Sequence, residues 1–179
     1  MHHHALIDTA FGPVGLAWSE RGIVRLQLPD RDAEATRARL MRHLDSIEAR
    51  LPPWLVPRIA ALQCYFAGVP TNLAQTPIDL DGVPTFHTGL YREMLKLDWG
   101  ASITYGELAA RVGAPGAAQS VGRAMGMNPI PVIIPCHRVL ASGNRMGGFS
   151  APGGTRTKQR LLDMEGIRLG DRAQLAFAF

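Results

Sequence analysis

At the N-terminal end of the chain, apolar and polar residues alternate in short runs broken by turn residues. Residues 5–8, 13–18 and 22–28 read as strands, with Gly12-Pro13 and Arg21-Gly22 supplying the turns between them. In the third run Val24, Leu26 and Leu28 alternate with Arg25 and Gln27, the period-two mark of a half-buried strand. The period then lengthens. Residues 31–50 predict a helix with Asp30 or Asp32 as N-cap and Leu40, Leu44 and Ile47 as its apolar stripe, stopped by Pro52-Pro53. Residues 54–67 predict a second helix built on Ile59, Leu62, Tyr65 and Phe66. Cys64 lies within it and reads as a small buried hydrophobe.

The stretch 68–85 is rich in Gly, Pro, Thr and Asp and reads as a linker, with Pro77–Leu80 offering one more strand to the first domain. Beyond it the chain is helix-rich. Phe86–Lys96 is amphipathic, with Leu90, Met94 and Leu97 on one side. Thr104 and Glu107 form a capping-box signature that opens a helix over about 105–112, and Gly113 can end it. Ala114-Pro115-Gly116 makes a turn, a further helix runs over 116–126, and residues 156–165 form the last, with Leu161, Leu162 and Met164 inward. Two short helices across a glycine-containing turn are a helix-turn-helix pattern. These elements divide the chain into an N-terminal α/β domain at 1–84, a helical domain at 85–170 and a tail at 171–179.

Chemistry concentrates at one place. The apolar run Ile130–Ile134, closed by Pro135, delivers Cys136 and His137 side by side. The run reads as a short buried strand or extended segment, and Pro135 ends regular structure there, so Cys136 is delivered on a fixed turn at the edge of a core. A free thiol, with a pKa of roughly 8.5, is only partly ionised at neutral pH, and a base that takes its proton makes it nucleophilic. Adjacent residues of an extended segment point to opposite sides, so a bridging water between the two side chains would suit the geometry.

Composition narrows the setting. A chain of 179 residues with 46% hydrophobic and 19% charged residues has the make-up of a globular protein with a sizeable core. No apolar run approaches the roughly 20 residues of a membrane span, and the three histidines after Met1 do not read as a signal peptide or a metal site. The net charge of +4 is compatible with nucleic acid, and the bias of Arg and Lys toward residues 111–172 places that face in the C-terminal half. Two cysteines give neither a disulfide framework nor a zinc set, which fits a reducing, cytoplasmic compartment.

An ordered set of residues surrounds the cysteine: Ile103-Thr104-Tyr105-Gly106-Glu107-Leu108-Ala109, Asn128-Pro129, Pro135-Cys136-His137-Arg138, Gly148-Phe149-Ser150, Lys158-Gln159-Arg160-Leu161-Leu162 and Glu165-Gly166. In this order and spacing the chain resembles the O6-alkylguanine-DNA alkyltransferases (methylated-DNA–protein-cysteine methyltransferases), closely over about 86–167 and in general layout before that. The resemblance implies an RNase H-like α/β domain followed by a winged-helix-like, helix-turn-helix domain that carries the cysteine. It implies transfer of an alkyl group from O6-alkylguanine, and from O4-alkylthymine, in double-stranded DNA to Cys136. Each molecule acts once, as a monomer, with no metal or organic cofactor and no membrane.

The same resemblance assigns roles. Glu165 orients His137, and His137 polarises a water that deprotonates Cys136, the logic of a catalytic triad with water inserted. Tyr105 faces the flipped nucleotide and assists protonation of the leaving guanine. Asn128 braces the helix-turn-helix against the cysteine loop. Ser150 bonds the guanine O6 region, Phe149 supplies an aromatic wall where many members have tyrosine, and Pro131 and Met146 complete the substrate pocket. Ala151-Pro152 makes the following loop look two residues longer than the shorter family pattern.

The helix over 116–126 is expected to meet DNA. Ala117, Ala118, Ser120, Gly122, Ala124 and Gly126 make it slim, and each glycine weakens it by roughly 1 kcal/mol relative to alanine. Tight helix packing or entry into a narrow groove would each justify that. In the resembled family this helix enters the minor groove and an arginine fills the space left by the flipped base. Here that position is Gln119, with Arg123 one turn later on the same face. Arg138 reads as structural or phosphate-facing rather than catalytic, and is counted with the DNA-facing residues. Two other readings compete: a lesion-binding relative without catalysis, against which Cys136 argues, and a cysteine hydrolase or redox sensor, against which the set Tyr105, Asn128, Ser150 and Glu165 argues.

Overall fold

A computed structural model describes residues 1–170 of the chain. They form two compact units: Met1–Val83 with Pro129–Ile134, and Pro84–Asn128 with the described residues from Pro135 onward. The apolar run before the cysteine thus groups with the first unit although it follows residue 84 in the chain. Its Pro129 carbonyl accepts from the Leu26 amide at 3.0 Å, within the first unit.

The first unit is a four-stranded sheet in the order β3-β2-β1-β4, made of β1 (His2–Thr9), β2 (Gly12–Trp18), β3 (Ile23–Gln27) and β4 (Ser46–Glu48). β1 and β2 pair antiparallel, with Ala5 opposite Leu16 and Ile7 opposite Val14. Helix α1 (Ala33–Leu40) packs on β2 and β3, and α2 (Val56–Phe66) packs on β1. Leu16, Ile23, Leu40, Leu62 and Tyr65 are fully buried between them. Burial of this kind yields roughly 25 cal/mol per Å² of apolar surface, the dominant stabilising term.

Three expectations need correction here. The first helix does not run to residue 50. Asp32 caps its start by accepting from the Ala35 amide at 2.7 Å, but Arg25 donates to the Leu40 and Arg42 carbonyls and so takes up the acceptors at its end. His43 then adopts a left-handed φ of 58°, and Ser46–Glu48 pairs parallel with His2–His4 as an edge strand. Ile47, read as part of an apolar stripe, is exposed. Cys64 is exposed rather than buried. The segment Pro77–Leu80 contributes a single bridge, Ile78 to Ile23, not a strand.

The second unit holds α3 (Thr85–Met94), β5 (Ile103–Thr104), α4 (Tyr105–Arg111), α5 (Ala118–Gly126), a 3₁₀ turn at Cys136–Arg138, β6 (Val139–Leu140), a second 3₁₀ turn at Ser142–Asn144 and α6 (Thr155–Met164). The capping box at α4 is complete: Thr104 accepts from the Glu107 amide, and the Glu107 carboxylate accepts from the Thr104 amide at 2.8 Å. Gly113 ends this helix at a φ of 75°, and the bonds from Gly113 to Ala110 and from Ala114 to Ala109 make a Schellman closure. α3 packs on α4 and α5, and the buried Tyr91 hydroxyl donates to the Ala124 carbonyl at 2.7 Å. Leu140, Leu162 and Ile167 form a core cluster beneath β6 and α6.

Candidate functional site

The pairing of two very short strands assembles the site. β5 and β6 run parallel, Ile103 beside Val139 and Thr104 beside Leu140. β5 leads directly into α4 at Tyr105, and β6 follows directly from the turn that carries Cys136. Tyr105 and Cys136 thus reach the same cavity, of about 780 Å³. One wall is α5, through Ala118, Gln119, Gly122, Arg123, Met125 and Gly126. The opposite lining comes from Ala141, Ser142 and the loop Gly148-Phe149-Ser150. Cys136 is 6% exposed and lines the cavity.

Cys136 lies on a turn directly after Pro135, as expected. It begins a 3₁₀ turn, so His137 is reached by a turn rather than by strand alternation. The run before it is buried but irregular, with Val132 at a φ of 75° and only a local Pro131–Ile134 bridge.

Behind the cysteine lies a buried ionic set. His137 Nε2 is 2.8 Å from Glu165 Oε1, and both side chains are fully buried. Arg138 donates to the same carboxylate twice, from Nε at 2.7 Å and from a terminal nitrogen at 3.0 Å, and its other terminal nitrogen donates to the Leu97 carbonyl at 2.6 Å. Burial alone would raise the Glu165 pKa, but the bonds from His137 and Arg138 outweigh it and bring the group down to about 2. Burial lowers the His137 pKa, with Arg138 and Lys158 adding to that against the pull of Glu165, so the imidazole rests neutral. A neutral ring that donates from Nε2 to a carboxylate keeps its basic lone pair on Nδ1.

The thiol itself is pushed up by burial. Opposing that are a hydrogen bond from the Asn128 side chain, the charge of Lys158 and the backbone amides of Cys136 and His137. Each opposing group favours the thiolate. The resting site therefore holds a neutral thiol surrounded by donors ready for the anion. Tyr105 is likewise pushed up, first by burial and then by Cys136, so its phenol keeps its proton.

Lys158 was not among the site residues expected from sequence. It is fully buried on α6, donates to the Val139 carbonyl at 2.6 Å and the Gly148 carbonyl at 3.4 Å, and lies 5.9 Å from the centroid of the Tyr105 ring. Burial lowers its pKa to about 8. The signal that could have found it is its place in an otherwise inward stripe: Lys158, Leu161, Leu162 and Glu165 fall at helical spacing.

Other expected residues fall in different places. Gln119, Ala118, Arg123, Phe149 and Ser150 line the cavity, and the Ser150 hydroxyl donates to the Gly126 carbonyl at 2.8 Å. Ala117 is the N-cap of α5 and is not in the lining. Met146 is a correction: the loop closes through the Ala141 amide and the Arg145 carbonyl at 2.9 Å, and Met146 packs on Leu140, Leu162 and Ile167. Pro131 belongs to the segment grouped with the first unit and is not in the lining. Of the two readings of Arg138, the geometry matches the structural one. Its guanidinium is buried against Glu165 and Leu97, so it is no phosphate-facing residue.

The slim helix has a reason visible here. A Cβ built on Gly126 would meet nothing within 4 Å, and one on Gly122 only the Tyr105 ring at 3.9 Å. Packing against a neighbour does not require either glycine; both keep open space along the cavity.

A buried thiol, a buried imidazole–carboxylate pair behind it and a helix-turn-helix wall thus come together in the second unit of a two-domain α/β protein. The chain belongs to the 6-O-methylguanine DNA methyltransferase family: residues 85–167 match the DNA binding domain of that family and residues 2–80 its ribonuclease-like domain. A methylated-DNA–protein-cysteine methyltransferase from Mycobacterium tuberculosis is 33% identical over 168 residues, covering 94% of each chain. One from Saccharolobus islandicus is 41% identical over 108 residues, 60% of this chain and 67% of that one. Among solved structures, the Mycobacterium tuberculosis O6-methylguanine methyltransferase is similar with a TM-score of 0.74 at 32% identity, covering 98% of this chain and 99% of the other. The Mycobacterium tuberculosis OGT in complex with DNA gives 0.72 at 32% identity, covering 91% and 92%.

Proposed function

We propose that this chain repairs DNA by moving the alkyl group of O6-alkylguanine, and of O4-alkylthymine, irreversibly to its own Cys136. The observation that carries the reading is the meeting of Cys136 and Tyr105 in one cavity, with His137 and Glu165 paired behind. The damaged base turns out of the duplex into the cavity, because an O6-alkyl group within the stack is out of reach of a sulfur. His137 takes the thiol proton at Nδ1 through a water, and Glu165 stabilises the imidazolium that forms. Sulfur attacks the alkyl carbon and a C–S bond forms. The C–O6 bond breaks with its electron pair going to guanine, which is protonated with help from the Tyr105 phenol. The product thioether has no group nearby to reverse it, so each molecule acts once.

The donors around Cys136 support this assignment, since each favours the thiolate over the thiol. In this reading Asn128 is one of those donors, Phe149 stacks on the base, and Ser150 and the α5 face meet the nucleotide. The partner is duplex DNA carrying the lesion, met by one protomer. A nucleophile that must remain a free thiol fits the reducing cytoplasm.

Intact-protein mass after mixing with duplex O6-methylguanine DNA tests the reading. One methyl group should be added, on the peptide containing Cys136, and Cys136→Ser should gain none. More than one turnover per molecule would refute the single-use mechanism.

A further inference from the structure

Gln119, Gly122, Arg123 and Gly126 fall on one face of α5, and all four line the cavity. Among the described lining residues Arg123 alone is charged, and no carboxylate shares the lining. Most other described arginines with short contacts are paired: Arg21 with Asp79, Arg31 with Asp32, Arg39 with Asp30, Arg138 with Glu165. Arg123 differs. Its guanidinium donates to the Ser120 hydroxyl at 3.3 Å, one turn back on the same helix, and it forms no ion pair among the described residues. The remaining donors of its planar fork stay available to a ligand.

A single unpaired cation on the rim of a largely apolar concavity has a defined preference. Low-dielectric walls strengthen its field, and the guanidinium fork matches a carboxylate or a phosphate in two-point geometry. The cavity volume of about 780 Å³ lies in the range of sites that take ligands larger than a methylated base. Resting on the proposed alkyl transfer, we infer that Arg123 is a specificity-determining residue that binds an oxyanion presented at the cavity. The oxyanion is either a carboxylate on the alkyl adduct or a phosphate of the strand that delivers it. Gln119, one turn earlier, leaves this the one cationic contact on the cavity face of α5.

Single-turnover rates on three substrates separate the two sources: duplex O6-methylguanine, duplex O6-carboxymethylguanine and free O6-benzylguanine, each with the intact wild-type chain, Arg123→Gln and Arg123→Lys. If the adduct carboxylate is the ligand, Arg123→Gln slows the carboxymethyl substrate about ten-fold more than the methyl one, and Arg123→Lys restores part of the difference. If a backbone phosphate is the ligand, both duplex substrates slow together, and the log–log salt slope of binding falls by about one. The free base brings no phosphate and reports on the pocket alone. All three rates within about two-fold of wild type, with the salt slope unaltered, would overturn the proposal. So would an equal loss on duplex and free base, which would make Arg123 a pocket-shaping residue. Failure of the alkyl-transfer reading is a separate result: wild type would then take up nothing from the methylated duplex.

Discussion

The ammonium of Lys158 donates to the backbone carbonyl of Val139 at 2.6 Å, inside the C-terminal unit. Val139 follows the 3₁₀ turn that carries Cys136, and the same ammonium reaches Gly148 of the cavity loop at 3.4 Å. One buried cation thus tethers both the strand after the nucleophile and the loop facing it, and its charge favours the thiolate. Lys158→Met keeps most of the side-chain volume and removes the charge. Transfer at neutral pH should slow about ten- to hundred-fold, the worth of a charge-assisted bond. The pH profile should also move to the alkaline side, because the thiol loses a group that lowered its pKa. A slower reaction with an unmoved profile would reduce Lys158 to a tether.

Gly147 should prove intolerant of a side chain. A Cβ there would stand 2.7 Å from the Tyr105 hydroxyl and 2.8 Å from its ring. Tyr105 lines the cavity, so the ring would yield into that space. Gly147→Ala should therefore displace Tyr105 and slow transfer while leaving the melting temperature within a few degrees, roughly a 1 kcal/mol effect. In a double-mutant cycle with Tyr105→Phe the two losses should be clearly sub-additive. Full additivity would mean that Gly147 acts on something other than Tyr105.

The sequence carried the local rules well. The β1–β2–β3 meander, the Thr104–Glu107 capping box and the Gly113 stop follow from period and turn chemistry alone, and all are present. What it hid are relations between distant residues. Arg138 and Glu165 stand 27 positions apart, and nothing local says that the arginine beside the cysteine turns inward. Lys158 sits in a polar-looking stretch with Gln159 and Arg160, and its burial depends on the carbonyls of another strand. The edge strand at Ser46–Glu48 exists only because β1 offers it a ladder, which overrode the helical pattern there. Ser142 of the cavity lining carried no signal, since a loop serine is ordinarily just a loop serine.

Glu165→Gln tests the proton relay. The carboxylate stabilises the imidazolium only while His137 holds the proton, so the variant should lose about a hundred-fold in transfer rate with duplex affinity unchanged within about two-fold. The substitution also strips Arg138 of its counter-charge, and a buried guanidinium left unpaired destabilises by roughly 3–5 kcal/mol. The double variant Arg138→Met/Glu165→Gln relieves that penalty. If the double variant regains stability while the reaction stays slow, the rate effect belongs to the relay. If the rate returns with stability, the carboxylate is a structural partner only.

Acid should loosen the fold through the same carboxylate. Glu165 has a pKa of about 2 in the folded chain against an ordinary value of 4.5. A lowered carboxyl pKa contributes stability that is fully present above 4.5 and disappears as pH falls through the folded value. The unfolded chain takes up the proton first, so stability declines between pH 4.5 and about 2, by roughly 3 kcal/mol at full extent. Urea midpoints measured down this range should fall for wild type and fall less steeply for Glu165→Gln. Parallel slopes for the two proteins would place the acid sensitivity elsewhere.

Gln119→Arg should speed repair of duplex DNA. Gln119 is exposed on the cavity face of α5, at the position the family resemblance aligns with an arginine expected to fill the vacated stack. Unstacking and unpairing a base takes a few kcal/mol, roughly, and a group that fills the gap returns part of it. Glutamine is shorter and uncharged, so the flipped population should be smaller than an arginine would sustain. A new arginine would stand one turn from Arg123, and that like-charge pair lowers helix stability by only about 0.2–0.5 kcal/mol. The net expectation is a several-fold faster duplex reaction with the free O6-benzylguanine rate little altered. Equal acceleration of both would show that position 119 shapes the pocket instead. An unaltered duplex rate would show that extrusion in this chain rests on other residues of the α5 face, with Arg123 the first to test.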